Sequence, residues 1–193
     1  MKTVFFDIDS QIDFLYPAGA LYVPGAERIV DAVARLNRRA REQGIPVVSS
    51  TDAHAEDDVE FRSWPAHCVA GTAGQAKPAA TLLEGRVVLP NTPGAPMPAD
   101  APQIILEKQT TDLFQTHTIR PLLEHLAADR YVVYGVVTEI CVARAALGLQ
   151  RTGRPVAVVT DAIRSLDDAG ARRFFDEFTA AGGRLVTVAE VFE

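Results

Sequence analysis

The sequence predicts an α/β fold of three layers, in which a mostly parallel, about six-stranded Rossmann-like sheet lies between two layers of helices. Short runs rich in valine and isoleucine alternate along the chain with longer segments of helical periodicity. The short runs are apolar throughout, as strands buried on both faces are. Strand alternating with helix implies a parallel sheet covered by helices on both sides.

The elements follow one another in a regular order. Strands are predicted over 2–9, 46–51, 103–107, 131–136, 155–160 and 184–188, with one further possible strand at 86–89. Helices are predicted over 26–43, 118–128, 139–152 and 167–181. In the first helix apolar residues recur at helical spacing from Ile29 to Ala40, and Gly44 is a natural stop.

The segment 52–101 departs from this rhythm. The chain has 193 residues, which favours one domain spanning 1–193 with this segment as a long loop insertion. The insertion is rich in Pro, Gly, Ala and Asp, and it holds the only Trp and two of the four His. A connection of this length is usually functional or disordered, and its composition favours a functional, metal-binding loop.

Charge and hydropathy exclude several kinds of partner. The net charge is −6 without a basic stripe, which argues against nucleic acid and anionic membranes. No apolar run approaches the ~20 residues of a membrane span, and Asp7 and Asp9 interrupt any signal-peptide pattern.

Two isolated cysteines, Cys68 and Cys141, favour a reduced, cytoplasmic protein. The apolar segment 139–152 fits deep burial or a subunit contact, and a homo-oligomer is expected.

Asp9, Lys108 and Cys141 form the first candidate site. Each follows a different predicted strand, so a parallel sheet brings them to one edge, where such folds bind ligands. The helix N-terminus and the lysine are expected to lower the pKa of the thiol, and the carboxylate can exchange its proton. A free cysteine is equally often a small buried hydrophobe, so position alone leaves both interpretations open.

Asp52, His54 and His67 form the second candidate site, with Glu60 as a possible fourth ligand. Asp52 and His54 alternate in an extended segment and project to the same side. One carboxylate and two imidazoles suit a divalent metal, zinc first, with iron or manganese as alternatives. Each His could instead cap a turn.

The run FFDID at 5–9 supports a competing hypothesis, a dehalogenase-type phosphohydrolase. In that interpretation Asp7 is the nucleophile and Asp9 the acid, but Gln11 stands where the motif expects Thr or Val. The other roles would fall to further polar residues: phosphate binding to Ser49 or Ser50, and magnesium binding to Asp161 and Asp167. A binding-only relative that keeps the fold without turnover is a third hypothesis.

The motifs together resemble one family, the isochorismatase-like cysteine hydrolases. DSQIDF at 9–14 is similar to the family's Asp-x-Gln-x-Asp-Phe opening, and GVVTEICV at 135–142 to its cysteine motif. Lys108 after IILE matches the family's lysine. DAH at 52–54 and WPAHCVAGTAG at 64–74 resemble the metal-binding, nicotinamidase-like branch.

The resemblance implies a role for each matching residue. Asp9 is the base, Lys108 its charge partner and Cys141 the nucleophile. The backbone N–H groups of Val137 and Cys141 form an oxyanion hole, next to a cis peptide at Val136–Val137. The ligand-binding positions are Asp52, His54, His67 and Glu60 for the metal, and Phe14 and Trp64 for a flat substrate ring.

The implied activity is hydrolysis of a small-molecule amide through a cysteine thioester, with nicotinamide as the first candidate substrate. Three features depart from the nicotinamidase pattern: Ala53 replaces the usual Trp, only Phe114 offers a ring after Lys108, and 86–101 is additional. These departures keep the chemistry but leave a different small amide or ester-like substrate open.

Overall fold

The computed structural model describes residues 1–98 and 100–192. Its centre is a parallel sheet of seven strands in the order β3-β4-β2-β1-β5-β6-β7. The strands are β1 (Thr3–Ile8), β2 (Val47–Asp52), β3 (Val87–Leu89), β4 (Gln103–Lys108), β5 (Arg130–Val136), β6 (Val156–Arg164) and β7 (Arg184–Val186). The prediction of a three-layer α/β fold is confirmed.

The seventh strand, β3, comes from inside the long insertion. Val87, Val88 and Leu89 pair with the middle of β4, at the edge of the sheet. The sequence indicated only a possible strand here, because three residues are too few to show a period. The remainder of the insertion contains the short 3₁₀ turns Val59–Arg62 and Ala79–Thr81.

Helices cover the two faces of the sheet. They are α1 (Ile12–Leu15), α2 (Val30–Glu42), α3 (Ile119–Leu126), α4 (Ala143–Gln150) and α5 (Asp168–Ala180). The predicted helix 26–43 begins as a 3₁₀ turn, Ala26–Ile29, and ends before Gly44, whose φ is +66°. The predicted helix 139–152 begins as a π-helical turn, Thr138–Val142.

The central strand β1 lies in the hydrophobic core of the protein. All six of its residues are buried, as expected for a strand covered on both faces. Its last residue, Ile8, is level with Ser50 of β2 and Gly135 of β5. The chains leaving these three strands therefore start at the same edge of the sheet. Among the described residues no helix is long and apolar enough to cross a membrane.

Candidate active site and metal centre

The residues predicted for catalysis come together at the carboxyl edge of the sheet. Asp9 directly follows β1, Lys108 ends β4, and Cys141 lies in the π-helical turn after β5. Strand β2 lies between β4 and β1, and its last residue, Asp52, is in register with Lys108. Four adjacent strands therefore deliver two carboxylates, an ammonium group and a thiol to one place.

Lys108 is the centre of this group, because its ammonium contacts both carboxylates. Its Nζ lies 2.8 Å from Asp9 Oδ2 and donates hydrogen bonds to Asp52 Oδ1 and, at 3.0 Å, to the carbonyl of Thr110. Burial alone would lower the pKa of Lys108, but the carboxylates of Asp52 and Asp9 raise it well above its usual range. Lys108 is therefore a buried cation at neutral pH.

The expectation of a lowered pKa for the Cys141 thiol is wrong. Burial raises the pKa of Cys141 well above its usual range, the Lys108 cation acts against this, and the negative charges of Asp9 and Asp52 raise it further. The expectation included the lysine and the helix N-terminus but not the loss of water around the thiol. The free protein therefore holds a neutral thiol.

Ser50 holds the Asp9 carboxylate in place, a contact that the sequence analysis missed. Its hydroxyl donates a 2.6 Å hydrogen bond to Asp9 Oδ1, and its carbonyl accepts from the Asp9 N–H at 3.1 Å. Oδ2 of Asp9 is thereby turned toward Lys108. The signal was available, since Ser50 lies near the end of the predicted strand beside the one that Asp9 follows.

The predicted metal ligands form a compact, buried cluster. Asp52, His54 and His67 each place one possible ligand atom within 4.8 Å of the other two. Asp52 Oδ2 lies 4.0 Å from His54 Nε2 and 3.8 Å from His67 Nε2. Because Asp52 Oδ1 contacts Lys108, this one carboxylate joins the cluster to the catalytic group.

Each imidazole is oriented through its other ring nitrogen. Nδ1 of His54 lies 3.0 Å from Asp58 Oδ2, and Nδ1 of His67 lies 2.7 Å from the Pro65 carbonyl. A donating Nδ1–H leaves the Nε2 lone pair free to bind a metal, the usual arrangement around metal-binding His. The sequence analysis missed Asp58, four residues after His54.

The cluster fits a divalent cation. His54 Nε2 is buried and has no hydrogen-bond partner in the part of the chain described. Burial lowers the pKa of His67, which favours the neutral imidazole that metals require. Burial raises the pKa of Asp52 to about 7 against the effect of Lys108, and a cation beside its Oδ2 would favour the ionised form.

Glu60, the predicted fourth ligand, is not part of this cluster of ligand atoms. Its N–H donates to Asp58 Oδ1 at 2.9 Å, and its side chain lines the cavity next to the cluster. Its role as a ligand stays a prediction.

A small cavity at this edge of the sheet is lined by Cys141 and Asp52. Phe14 and Trp64, the predicted substrate-binding residues, both line it. Phe14 also packs within the core, and its role in substrate binding stays a prediction. The sequence analysis did not assign a substrate contact to five further lining residues, of which Val136 and Ile140 lie within the cysteine motif: Leu21, Thr111, Val136, Ile140 and Leu166.

The turn between β5 and Cys141 has the backbone form that the resemblance implied. The peptide bond between Val136 and Val137 is cis. The Val137 carbonyl accepts 3.1 Å hydrogen bonds from the N–H groups of Ile140 and Val142, which closes the turn around Cys141. The oxyanion role of the Val137 and Cys141 N–H groups stays a prediction.

Three aspartates that the phosphohydrolase hypothesis requires have other partners in the fold. Asp7 is fully buried within the sheet and pairs with Lys77, 3.1 Å away. Asp161 accepts a hydrogen bond from the Val188 N–H, and Asp167 caps α5. None of the three aspartates lines the cavity.

Comparisons with known proteins show which family and which solved structures the chain resembles. The isochorismatase domain family matches residues 3–190. Escherichia coli nicotinamidase is 27% identical, over 95% of this chain and 93% of that protein. Pyrococcus horikoshii pyrazinamidase, solved in complex with zinc, has a TM-score of 0.79 and 26% identity, covering 97% of this chain and 99% of that chain. N-carbamoylsarcosine amidase from Thermoplasma acidophilum has a TM-score of 0.77 and 25% identity, covering 97% of both chains.

The fold and the site thus define a hydrolase with a three-layer α/β fold, whose cavity is lined by Cys141 and by residues of a possible metal-binding cluster. The chain belongs to the isochorismatase domain family. The prediction of a hydrolase in its nicotinamidase-like branch is confirmed.

Proposed function

We propose that this protein hydrolyses the carbon–nitrogen bond of a small, neutral amide through a thioester on Cys141, with nicotinamide as the first candidate substrate. The observation that carries the proposal is the contact of Lys108 with both Asp9 and Asp52. Through this contact the residues proposed for catalysis lie directly beside the possible metal ligands, to which Asp52 belongs. The similarity to E. coli nicotinamidase and P. horikoshii pyrazinamidase supports an aromatic amide as the substrate.

The lining of the cavity favours a neutral, flat substrate. The rings of Phe14 and Trp64 and the side chains of Leu21 and Ile140 supply apolar surface, as ligand pockets usually do. Among the described residues, the lining of this cavity includes the acidic residues Asp52 and Glu60 but no lysine or arginine. An anionic amide would therefore find no basic side chain in the lining to pair with, and a neutral amide is favoured.

The first half of the reaction forms the thioester. Asp9 takes the proton of the neutral Cys141 thiol, and the Lys108 cation stabilises the thiolate as it forms. The sulfur attacks the amide carbonyl and gives a tetrahedral intermediate. Asp9 then returns the proton to the nitrogen, the carbon–nitrogen bond breaks, and ammonia leaves.

The second half regenerates the thiol. Asp9 takes a proton from a water molecule, which attacks the thioester carbonyl. The carbon–sulfur bond breaks, the carboxylic acid is released, and Asp9 returns the proton to Cys141. Ser50, through its 2.6 Å hydrogen bond, keeps Asp9 oriented in both halves.

Two backbone donors stabilise the charge that develops on the carbonyl oxygen. They are the N–H groups of Val137 and Cys141, which belong to the turn closed on the Val137 carbonyl. Each donor of this kind is typically worth roughly 3 kcal/mol of barrier.

Asp52, His54 and His67 would hold a zinc ion. Glu60, which lines the same cavity, is the candidate for a fourth ligand. When bound, the ion supplies a Lewis-acid position for a donor atom of the substrate or for water.

The first experiment measures ammonia release from nicotinamide, pyrazinamide, benzamide and N-carbamoylsarcosine. We expect release from the two ring amides with a ring nitrogen, and a loss of at least about 1,000-fold in Cys141→Ala. The matched control is Cys68→Ala, because Cys68 is also buried but lies outside the cavity lining.

The panel also separates the alternatives. Release from N-carbamoylsarcosine alone, dependent on Cys141, would keep the cysteine mechanism and contradict the neutral ring substrate. Release that survives Cys141→Ala would contradict the thioester. Release from no amide would refute the proposed function.

A further inference from the structure

We propose that Glu139 is a positioning residue that sets the outer wall of the substrate cavity by holding Leu166 against the turn that carries Cys141. Glu139 lies two residues before Cys141 in the same π-helical turn. The inference rests on the proposed function, because it assigns a role in substrate binding at the same cavity.

The contact is a double hydrogen bond to one oxygen. Glu139 Oε1 accepts from the backbone N–H of Leu166 at 2.9 Å and from that of Asp167 at 2.8 Å. Two successive backbone N–H groups directed at one oxygen form a typical site for a carboxylate. These two residues connect β6 to α5, so the contact ties that connection to the turn of the nucleophile.

The backbone around this contact is tightly packed. A Cβ atom added to Gly170 would lie 3.1 Å from Glu139 Cγ and 3.0 Å from Asp167 Oδ2. Asp167 in turn accepts hydrogen bonds from the N–H groups of Ala169 and Gly170 and caps α5. The turn, the connection and the start of α5 thus form one unit with Glu139 at its centre.

Leu166 depends on this contact for its position. Leu166 lines the cavity but is 44% exposed, so core packing does not fix its side chain. A leucine held mainly through its backbone moves when that backbone is released. Glu139 therefore acts on the substrate through Leu166 and does not touch the reacting atoms.

A double-mutant cycle tests this dependence, with nicotinamide as substrate. We expect Glu139→Ala and Leu166→Ala each to raise KM about 10-fold, and the double variant to raise it by about the same 10-fold, because both remove one wall. We expect kcat to change less than about threefold, as for a group that binds ground and transition states equally. Glu139→Gln keeps an acceptor oxygen and should stay within about threefold of the wild-type KM.

Three results would overturn the inference. The first is a rise of about 100-fold in the KM of the double variant, the product of two independent 10-fold effects. The second is a loss in kcat without a change in KM. The third is a rise in KM in Glu139→Gln equal to that in Glu139→Ala. Leu166 is exposed, so Leu166→Ala should fold normally. If Glu139→Ala alone fails to fold, the KM values of Glu139→Gln and Leu166→Ala decide whether the inference holds.

A second readout separates this inference from the proposed function. If the wild type releases no ammonia from any amide, the proposed function fails. The double-mutant cycle is then measured as the rate at which iodoacetamide labels Cys141. We expect each single variant and the double variant to speed labelling by the same factor of about 10. An unchanged rate in Glu139→Ala would refute the role of Glu139 as well.

Discussion

The buried pair Asp7–Lys77 gives a prediction about stability. Asp7 is fully buried in the central strand β1. Its carboxylate lies 3.1 Å from Lys77 Nζ and accepts hydrogen bonds from Ser10, at 2.5 Å, Ser49, at 3.1 Å, and Asn37, at 3.2 Å. Lys77 belongs to the long insertion, so the pair fastens that insertion to the middle of the sheet. We expect Lys77→Met to destabilise the protein by leaving a buried charge without its counter-charge.

The magnitude follows from what remains around Asp7. Removing one partner of a buried ion pair costs about 3–5 kcal/mol. Three neutral donors stay on Asp7, so we expect the lower end, about 3 kcal/mol. For a protein of this size that corresponds to a fall in Tm of roughly 6–12 °C. Removing both charges in Asp7→Asn with Lys77→Met should cost less than Lys77→Met alone, since no charge is then stranded.

The assay is urea unfolding followed by far-UV circular dichroism, which reports the whole fold, with Tm measured by calorimetry. The matched control is Lys2→Met, because Lys2 is exposed and should change stability by less than about 0.5 kcal/mol. A fall in Tm of less than about 2 °C in Lys77→Met would refute the reasoning. So would a double variant whose destabilisation equals the sum of the two single variants.

Three further predictions concern the site. His67→Ala should lower the bound metal measured by plasma emission, and unchanged stoichiometry would contradict the ligand assignment. Ser50→Ala should lower kcat about 10-fold, because Asp9 loses the hydrogen bond that orients it, and Ser50→Thr should restore most of it. Gly170→Ala should destabilise the protein by about 1–3 kcal/mol in urea, because its Cβ would crowd Glu139; an increase in stability would contradict this packing.

The position of the site could be predicted from sequence because it depends on topology. Parallel strands end at one edge, so residues that follow strands meet there whatever the details of packing. Asp9, Lys108 and Cys141 were placed in this way, and the structure brings them together. The histidines followed from the same rule together with their spacing.

What could not be predicted depends on burial and on side-chain partners. The pKa of Cys141 rises because the thiol is removed from water, a property that no local pattern reports. Asp58 and Ser50 act on His54 and Asp9 through contacts that only the folded chain creates. The strand β3 was uncertain because its three residues owe their conformation to pairing with β4.

The interleaved strand order has a consequence for how activity returns when the protein refolds. Strand β1 lies between β2 and β5, so Thr3 is in register with Arg130, 127 residues later in the chain. Non-local pairings of this kind form slowly, because long loops must close first. The site draws on four of these strands and is complete only after the last of them has joined. Recovered hydrolysis would therefore report the assembly of the four strands β4, β2, β1 and β5, whereas the fluorescence of Trp64 reports one loop.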